Sequence, residues 1–266
     1  MVAEPHPDIP IQWFDAVDST NRVAADALQA GQVAPQGQVF VARRQTVGQG
    51  RMGRQWQSPE GGLWCTVVLP AADSPTSLDA LGLRVGVACV TAIRRVLADA
   101  GATPLVSETG LKWPNDVLIN RRKACGSLCR TIRYTNTTWL ILGVGINVNN
   151  DPHKLGEDLR RPATSLAREA GRRFDLPTVL TVLLTELAAA AREPGLTTTT
   201  LDRARSMLLG LGEPLTLSLP ESRQLTGTLA GLNDRGHVVL DTPTGPITAE
   251  NAIESIEHTV LSEPRA

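Results

Sequence analysis

The segment Gly48-Gln-Gly-Arg-Met-Gly-Arg54 constrains the fold more than any other stretch of the chain. Gly48, Gly50 and Gly53 satisfy GxGxxG, the pattern that opens a helix in parallel dinucleotide-binding sheets. Such a motif needs a strand before it and a helix after it, because the helix N-terminus receives the pyrophosphate. Val39-Phe-Val-Ala42 supplies the strand. The sequence that follows, Gln55-Trp-Gln-Ser-Pro59-Glu-Gly-Gly62, has a proline, two glycines and no helical periodicity. The dinucleotide reading therefore fails on context, and no GK[ST] sequence is present to support P-loop chemistry. What remains is a flexible glycine loop carrying Arg51 and Arg54. Its amides can approach an anion, and its guanidiniums offer a fork for carboxylate or phosphate. A solvated loop with idle arginines is the plainer alternative.

Around this loop the patterning mixes helices with strands. Ser19-Thr-Asn-Arg22, then apolar Val23, Ala24, Ala27 and Leu28, then Gly31, predict a short helix capped by Asp18 or Ser19. Leu63–Leu69, closed by Pro70, reads as a strand, and residues 77–100 as the longest helix of the first half, with an exposed Arg94-Arg95 pair. Between 113 and 149 the pattern turns to β. Val117-Leu-Ile119 and Ala124–Ile132 flank a hairpin connection at Asn120-Arg-Arg-Lys123, and Trp139–Val148 is strongly apolar. Residues 176–193 are helical, with Pro177 near the first position. Beyond Gly210 four short strands are expected at 214–219, 223–231, 237–241 and 246–250, which suggests a small barrel appended to an α+β domain.

Composition removes several function classes. With 26 Lys+Arg against 27 Asp+Glu, the net charge of −1 argues against binding nucleic acid through the whole surface. No apolar run approaches the roughly 18–20 residues that cross a bilayer, and the N-terminus lacks the two regions of a signal peptide. Cys65, Cys89, Cys125 and Cys129 have no CxxC spacing and no nearby histidine, so they read as reduced, mostly buried thiols of a cytoplasmic protein. His6, His153, His237 and His258 have no recognisable nucleophile partner, which leaves triad hydrolysis poorly supported.

Three further segments carry candidate chemistry, each with a bland alternative. In Leu111-Lys-Trp-Pro-Asn-Asp-Val117, Pro114 extends Trp113, and Asn115-Asp116 suits either a site or a plain turn. In Gly143-Val-Gly-Ile-Asn-Val148, two glycines within an apolar strand suggest close approach by a ligand or by another backbone, with Asn147 offering an amide there. Lys123 either belongs to a solvated hairpin tip or points into a site, and periodicity does not choose.

In order and spacing, five segments resemble the biotin protein ligase family, of the single-function type. They are Asp18-Ser-Thr-Asn21, Gln45–Trp56, Lys112-Trp-Pro-Asn-Asp116, Lys123-Ala-Cys-Gly-Ser-Leu128 and Gly143-Val-Gly-Ile-Asn147, within roughly residues 13–260. The resemblance implies an α+β fold. Residues 1–210 would form a mixed β-sheet catalytic domain akin to class II aminoacyl-tRNA synthetases, and 211–266 a small SH3-like β-barrel. It implies that biotin and ATP, with Mg2+ carried by the ATP and no metal site of the protein's own, give biotinyl-5′-AMP. The biotinyl group then passes to a lysine of a biotin carboxyl carrier protein domain. By resemblance, Ser19, Thr20, Asn21, Gln45, Gly48, Gln49, Arg51, Lys123 and Gly126 bind biotin. Arg51, Arg54, Trp56, Asn115, Asp116 and Asn147 belong to the nucleotide, with Lys123 and Arg51 catalytic.

Two positions depart from the family pattern. Gln49 stands where the family often has Arg, and Arg130 where it commonly has an acid. The catalytic sequence begins by residue 13, so no DNA-binding domain is expected before it. A homodimer is neither implied nor excluded. The rival readings are a lipoate ligase or octanoyltransferase of the same fold, and a biotin-sensing module that has lost catalysis.

Overall fold

The computed structural model describes residues 9–50, 53–152, 162–218 and 224–249. Its first strand, β1 (Ile11–Val17), leads through Asp18 and Ser19 into α1 (Thr20–Gln29), and then to β2 (Gln38–Gln45) and β3 (Leu63–Pro70). Ser19 occupies the N-cap of α1, but its side chain makes no capping bond, and the Asp18 carboxylate accepts from Ser19 N at 2.5 Å instead. The cap expected there is thus only positional. The helix ends beside Gly31, whose φ of +68° lies in the left-handed region that glycine tolerates.

Next come α2 (Leu81–Asp99), α3 (Thr103–Ser107), β4 (Thr109–Lys112), β5 (Asp116–Ile119), β6 (Arg122–Tyr134) and β7 (Thr137–Ile146). The long helix begins four residues later than its composition predicts, because turns at Ser77 and Asp79 close back on Ser74 and Thr76. Arg94 is not simply exposed: its Nε and Nη2 donate to Thr109 O at 2.8 and 2.6 Å, tying the helix to β4. Asn120 and Arg121 form the β5–β6 turn with φ of +48° and +62°, the backbone of a two-residue hairpin. Lys123 therefore lies within β6, not at the hairpin tip.

The strands form a seven-stranded mixed sheet in the order β1-β2-β3-β7-β6-β5-β4, with β1 parallel to β2 and every other pair antiparallel. Alternation assigns its two faces. On one face Leu63, Cys65, Val67 and Leu69 of β3 and Leu140, Leu142, Val144 and Ile146 of β7 join the large core with α2. On the other, Val68 and Ile141 pack against Ala24 and Leu28 of α1. The helix α2 is apolar nearly all round because it lies between the sheet and α5 (Leu176–Arg192), which follows α4 (Leu166–Ala170). Asp175 caps α5, accepting from Thr178 N at 3.0 Å and Oγ1 at 2.7 Å, with Pro177 in its first turn.

After α6 (Thr198–Met207), β8 (Pro214–Ser218), β9 (Gln224–Leu232), β10 (Val238–Thr242) and β11 (Gly245–Ala249) form an antiparallel meander. Leu215, Leu217, Leu229, Val238 and Leu240 of this second sheet belong to the same buried cluster as α2 and the large sheet. Polar ties reinforce that continuity. Leu209 N donates to Leu111 O at 2.9 Å, Trp113 Nε1 donates to Gly236 O at 2.9 Å, and Arg205 donates twice to Leu232 O. The four cysteines are free, and burial pushes the Cys65 thiol up to about 12. No described helix is long and apolar enough to cross a membrane.

Candidate active site

The face of the large sheet that carries α1 also carries the candidate site. Across its middle the register aligns Asp116 with Gly126, Gly126 with Gly145, and Gly145 with Trp64. One rung further on, Gly143 aligns with Thr66. Gly143 and Gly145 thus replace side chains on this face with bare backbone. The space is used: a Cβ at Gly145 would lie 2.7 Å from Trp56 Nε1, and one at Gly143 would overlap the Asn21 amide. Both glycines are close-approach positions, but what approaches is the Trp56 and Asn21 side chains, not the ligand or backbone that the strand context suggests.

At the α1 end a chain of hydrogen bonds joins the expected biotin residues. Thr20 N and Oγ1 donate to Gln45 Oε1 at 2.8 and 3.1 Å. Gln45 Nε2 donates to Ser58 Oγ at 2.8 Å, which in turn donates to Trp56 O at 3.2 Å. Thr66 Oγ1 lies 2.8 Å from both Thr20 Oγ1 and Asn21 Oδ1, and its single proton serves one of them. Ser19, Thr20, Asn21, Ser58 and Thr66 are all buried, so these polar atoms are held in place without water. Thr66 and Ser58 were not among the expected residues. The signal for Thr66 is a hydroxyl inside the apolar run Leu63–Leu69.

The glycine loop is pinned at its base. Gln45 N donates to Ser58 O at 3.0 Å, Trp56 N to Gly48 O at 2.8 Å, and Gly50 N to Arg54 O at 2.7 Å. Gly48 is needed there, since a Cβ would come within 2.8 Å of Ser58 Oγ. No helix follows Gly53, which upholds the rejection of a dinucleotide motif. Gln49 and Arg54 stand exposed on the loop, while Arg51 lies outside the described residues.

Lys123 reaches the middle of the bare floor. Its Nζ is 2.7 Å from Asp116 Oδ1 and 5.0 Å from the centre of the Trp56 ring, within cation–π range. A Cβ at Gly126 would sit 3.3 Å from that ammonium, so Gly126 lies directly beneath it. The backbone is fixed as well: Lys123 N donates to Pro162 O, and Thr164 N donates to Lys123 O. Behind this strap, the Glu169 side chain, 3% exposed, accepts from Asn120, Arg122 and Thr164. Burial opposes its ionisation, but the bonds from Thr164, Asn120 and Arg122 outweigh that and hold its carboxyl below the usual range.

Asn115 and Asn147 frame the other end. Asn115 Nδ2 donates to Ser127 O, and Asn147 Oδ1 accepts from Asn150 Nδ2 at 2.9 Å, while Asn147 N is held by Ala124 O. Lys112 was also not expected. It lies opposite Asp116 in the β4–β5 register, is 4% exposed, and its Nζ has no hydrogen-bond partner among the described residues. With Asp116 held by Lys123, the cluster carries more positive than negative charge, which suits an anionic guest. A half-buried ammonium above bare backbone, beside a preorganised polar pocket, can hold a carboxylate and stabilise charge that develops on it.

A model described as the Biotin/lipoate A/B protein ligase family matches residues 13–147. The chain is 33% identical over 242 residues to the bifunctional ligase/repressor BirA of Bacillus subtilis, covering 88% of this chain and 70% of BirA. It is 31% identical to the biotin–[acetyl-CoA-carboxylase] ligase of Mycobacterium tuberculosis, covering 86% and 83% of the two chains. A solved biotin protein ligase from Aquifex aeolicus, in complex with biotin and ATP, superposes with a TM-score of 0.76 at 30% identity. That match covers 94% of this chain and 99% of the other. On sequence, fold and site together, the chain belongs to the biotin/lipoate A/B protein ligase family.

Proposed function

We infer that this protein is a biotin–[biotin carboxyl carrier protein] ligase, which activates biotin with ATP and transfers it to a carrier lysine. The observation that carries this reading is Lys123 Nζ, held by Asp116 and Trp56 directly above Gly126. A biotin carboxylate at that point exchanges its hydration for an ion pair with Lys123. Its oxygen attacks the α-phosphorus of ATP, and the bond to the pyrophosphate oxygen breaks as the acyl–phosphate bond forms. In the second step the carrier lysine's amine attacks the acyl carbon, which Lys123 polarises, and AMP leaves.

We assign the ureido head of biotin to the pocket of Ser19, Thr20, Asn21, Gln45, Gly48 and Thr66, where donors and acceptors are already oriented by one another. Gln49 sits at its rim. Arg51 and Arg54 serve the phosphates from the loop, whose closure would shield a hydrolysable mixed anhydride from water. Trp56, Asn115, Asp116 and Asn147 frame the nucleotide. Mg2+ would travel with ATP and neutralise phosphate charge. Residues 1–210 are proposed as the catalytic unit, and the meander within 211–266 as part of an SH3-like barrel. Four free cysteines, three of them buried, support a cytoplasmic setting.

The test is pyrophosphate release from Mg-ATP with biotin, lipoate or octanoate supplied in parallel. Release with biotin alone is the expected result. Release with lipoate or octanoate instead overturns the assignment, and biotin binding without release identifies a sensor.

A further inference from the structure

Three neighbouring strands bring two lysines to one carboxylate. Asp116 stands on β5, with Lys123 on β6 to one side and Lys112 on β4 to the other. The β4–β5 register sets Lys112 directly opposite Asp116. Residues opposed in this way share a face of the sheet, with Cβ atoms about 5 Å apart. Asp116 faces the site: its Oδ1 is 2.7 Å from Lys123 Nζ and would lie 3.3 Å from a Cβ at Gly126. Lys112 therefore emerges on the site face too, across the carboxylate from Lys123.

The two lysines are used differently. Lys123 is paired with Asp116, whereas Lys112 Nζ is sealed from solvent and has no hydrogen-bond partner among the described residues. With Lys112 only 4% exposed, its ammonium bears the cost of burial without the compensation of a partner. A methionine would fill the same volume without that cost. The lysine stem is flexible and its ammonium carries three donors, so it can swing to a carboxylate on the facing strand. Asp116 would need such a partner if Lys123 left it. Its side chain is 11% exposed, so water would replace little of the lost ion pair.

We propose that Lys112 is the reserve partner of Asp116: when a biotin carboxylate draws Lys123 onto itself, Lys112 takes Asp116 over. The inference rests on the ligase reading, which supplies the carboxylate that competes for Lys123. With Lys123 on Asp116, the guest must break an existing ion pair to make its own. Without a substitute, that trade leaves Asp116 as a buried, unpaired charge. With Lys112 in reach, one ion pair becomes two, Lys123 with the guest and Lys112 with Asp116. No covalent bond or proton changes hands. Lys112 is then a positioning residue, which acts on biotin through Asp116 and Lys123 without touching it.

Titration calorimetry of biotin and of biotin methyl ester into Lys112→Met, without ATP, tests the exchange. The ester has no charge with which to draw Lys123 away. Biotin should bind about tenfold more weakly than to wild type, and the ester equally well. The melting temperature should be unchanged or higher, because an apolar chain replaces an unpartnered buried ammonium. Lys112→Arg keeps a cation and should retain most of the affinity for biotin. In Asp116→Asn there is no carboxylate to take over, so adding Lys112→Met should weaken biotin no further. Equal weakening of biotin and ester would mean a loss of pocket shape and overturns the proposal. So does an unchanged biotin affinity, a loss in Lys112→Arg as large as in Lys112→Met, or the same loss with and without Asp116. A wild-type protein that binds neither ligand overturns the ligase reading and the exchange with it. Wild-type binding of both, indifferent to Lys112→Met, overturns the exchange alone.

Discussion

Lys123 shows how one position acquires a function from its neighbours. From the sequence it could sit on a solvated tip or face a site, and the deciding fact is the two-residue turn at Asn120-Arg121, which places it inside β6. Lys123→Ala should lower the rate of biotin-dependent pyrophosphate release by about 100-fold or more. Its melting temperature should change little, because the lost ion pair is partly exposed; unaltered turnover would remove the lysine from the mechanism. Gly145 is the complementary case. Alanine there would collide with the Trp56 indole, so Gly145→Ala should displace Trp56 and weaken biotin and nucleotide binding together, at a stability cost of about 1–3 kcal/mol. Titration calorimetry beside a melting curve separates the two effects. Gly143 and Gly145 were legible because bare backbone is unusual inside an apolar strand, whereas Asn21 and Gln45 were legible only through the family resemblance. Ser58 and Thr66 were not, since a serine in a loop and a threonine in a strand are each ordinary, and Lys112, though inside a quoted segment, was given no role.

At the scale of elements, the sequence shows the well-patterned pieces and misses the plain ones. Strands β2, β3, β5, β6 and β7 and helices α2 and α5 have apolar periodicity because each buries a face. β1 was invisible because it is an edge strand that leaves Ile11 and Trp13 exposed, and β4 because four residues cannot show a period. The element that most repays a pH experiment is the strap over Lys123, fastened by Glu169 of α4. Its pKa lies below the unfolded value near 4.5, so the stabilisation is present above that pH and is lost as pH falls through the depressed folded value. Replacing it by Gln, which keeps the shape but loses the charge-assisted bonds, should cost about 2 kcal/mol at neutral pH. The gap between the urea midpoints of wild type and Glu169→Gln should narrow as the pH is taken below 4.5. A constant gap would show that the ionised form is not what matters.

At the scale of the molecule, the two units proposed on either side of residue 210 share buried residues, since one core cluster takes in both sheets. The sequence could not reveal this, because Leu215, Leu229 and Val238 look like the inside of any small sheet until their neighbours are known. One core predicts one transition: near- and far-ultraviolet circular dichroism should lose signal at the same urea concentration. Two separated transitions would show that the two units unfold independently. Trp113→Phe, which removes the indole bond to Gly236 O, should lower that single midpoint by about 1 kcal/mol without splitting it. A shared interior also means that damage is not contained. A cut in the last strands would leave no competent remnant: the exposed leucines of the first sheet would mark the fragment for proteolysis, so cellular capacity should track the abundance of intact chains.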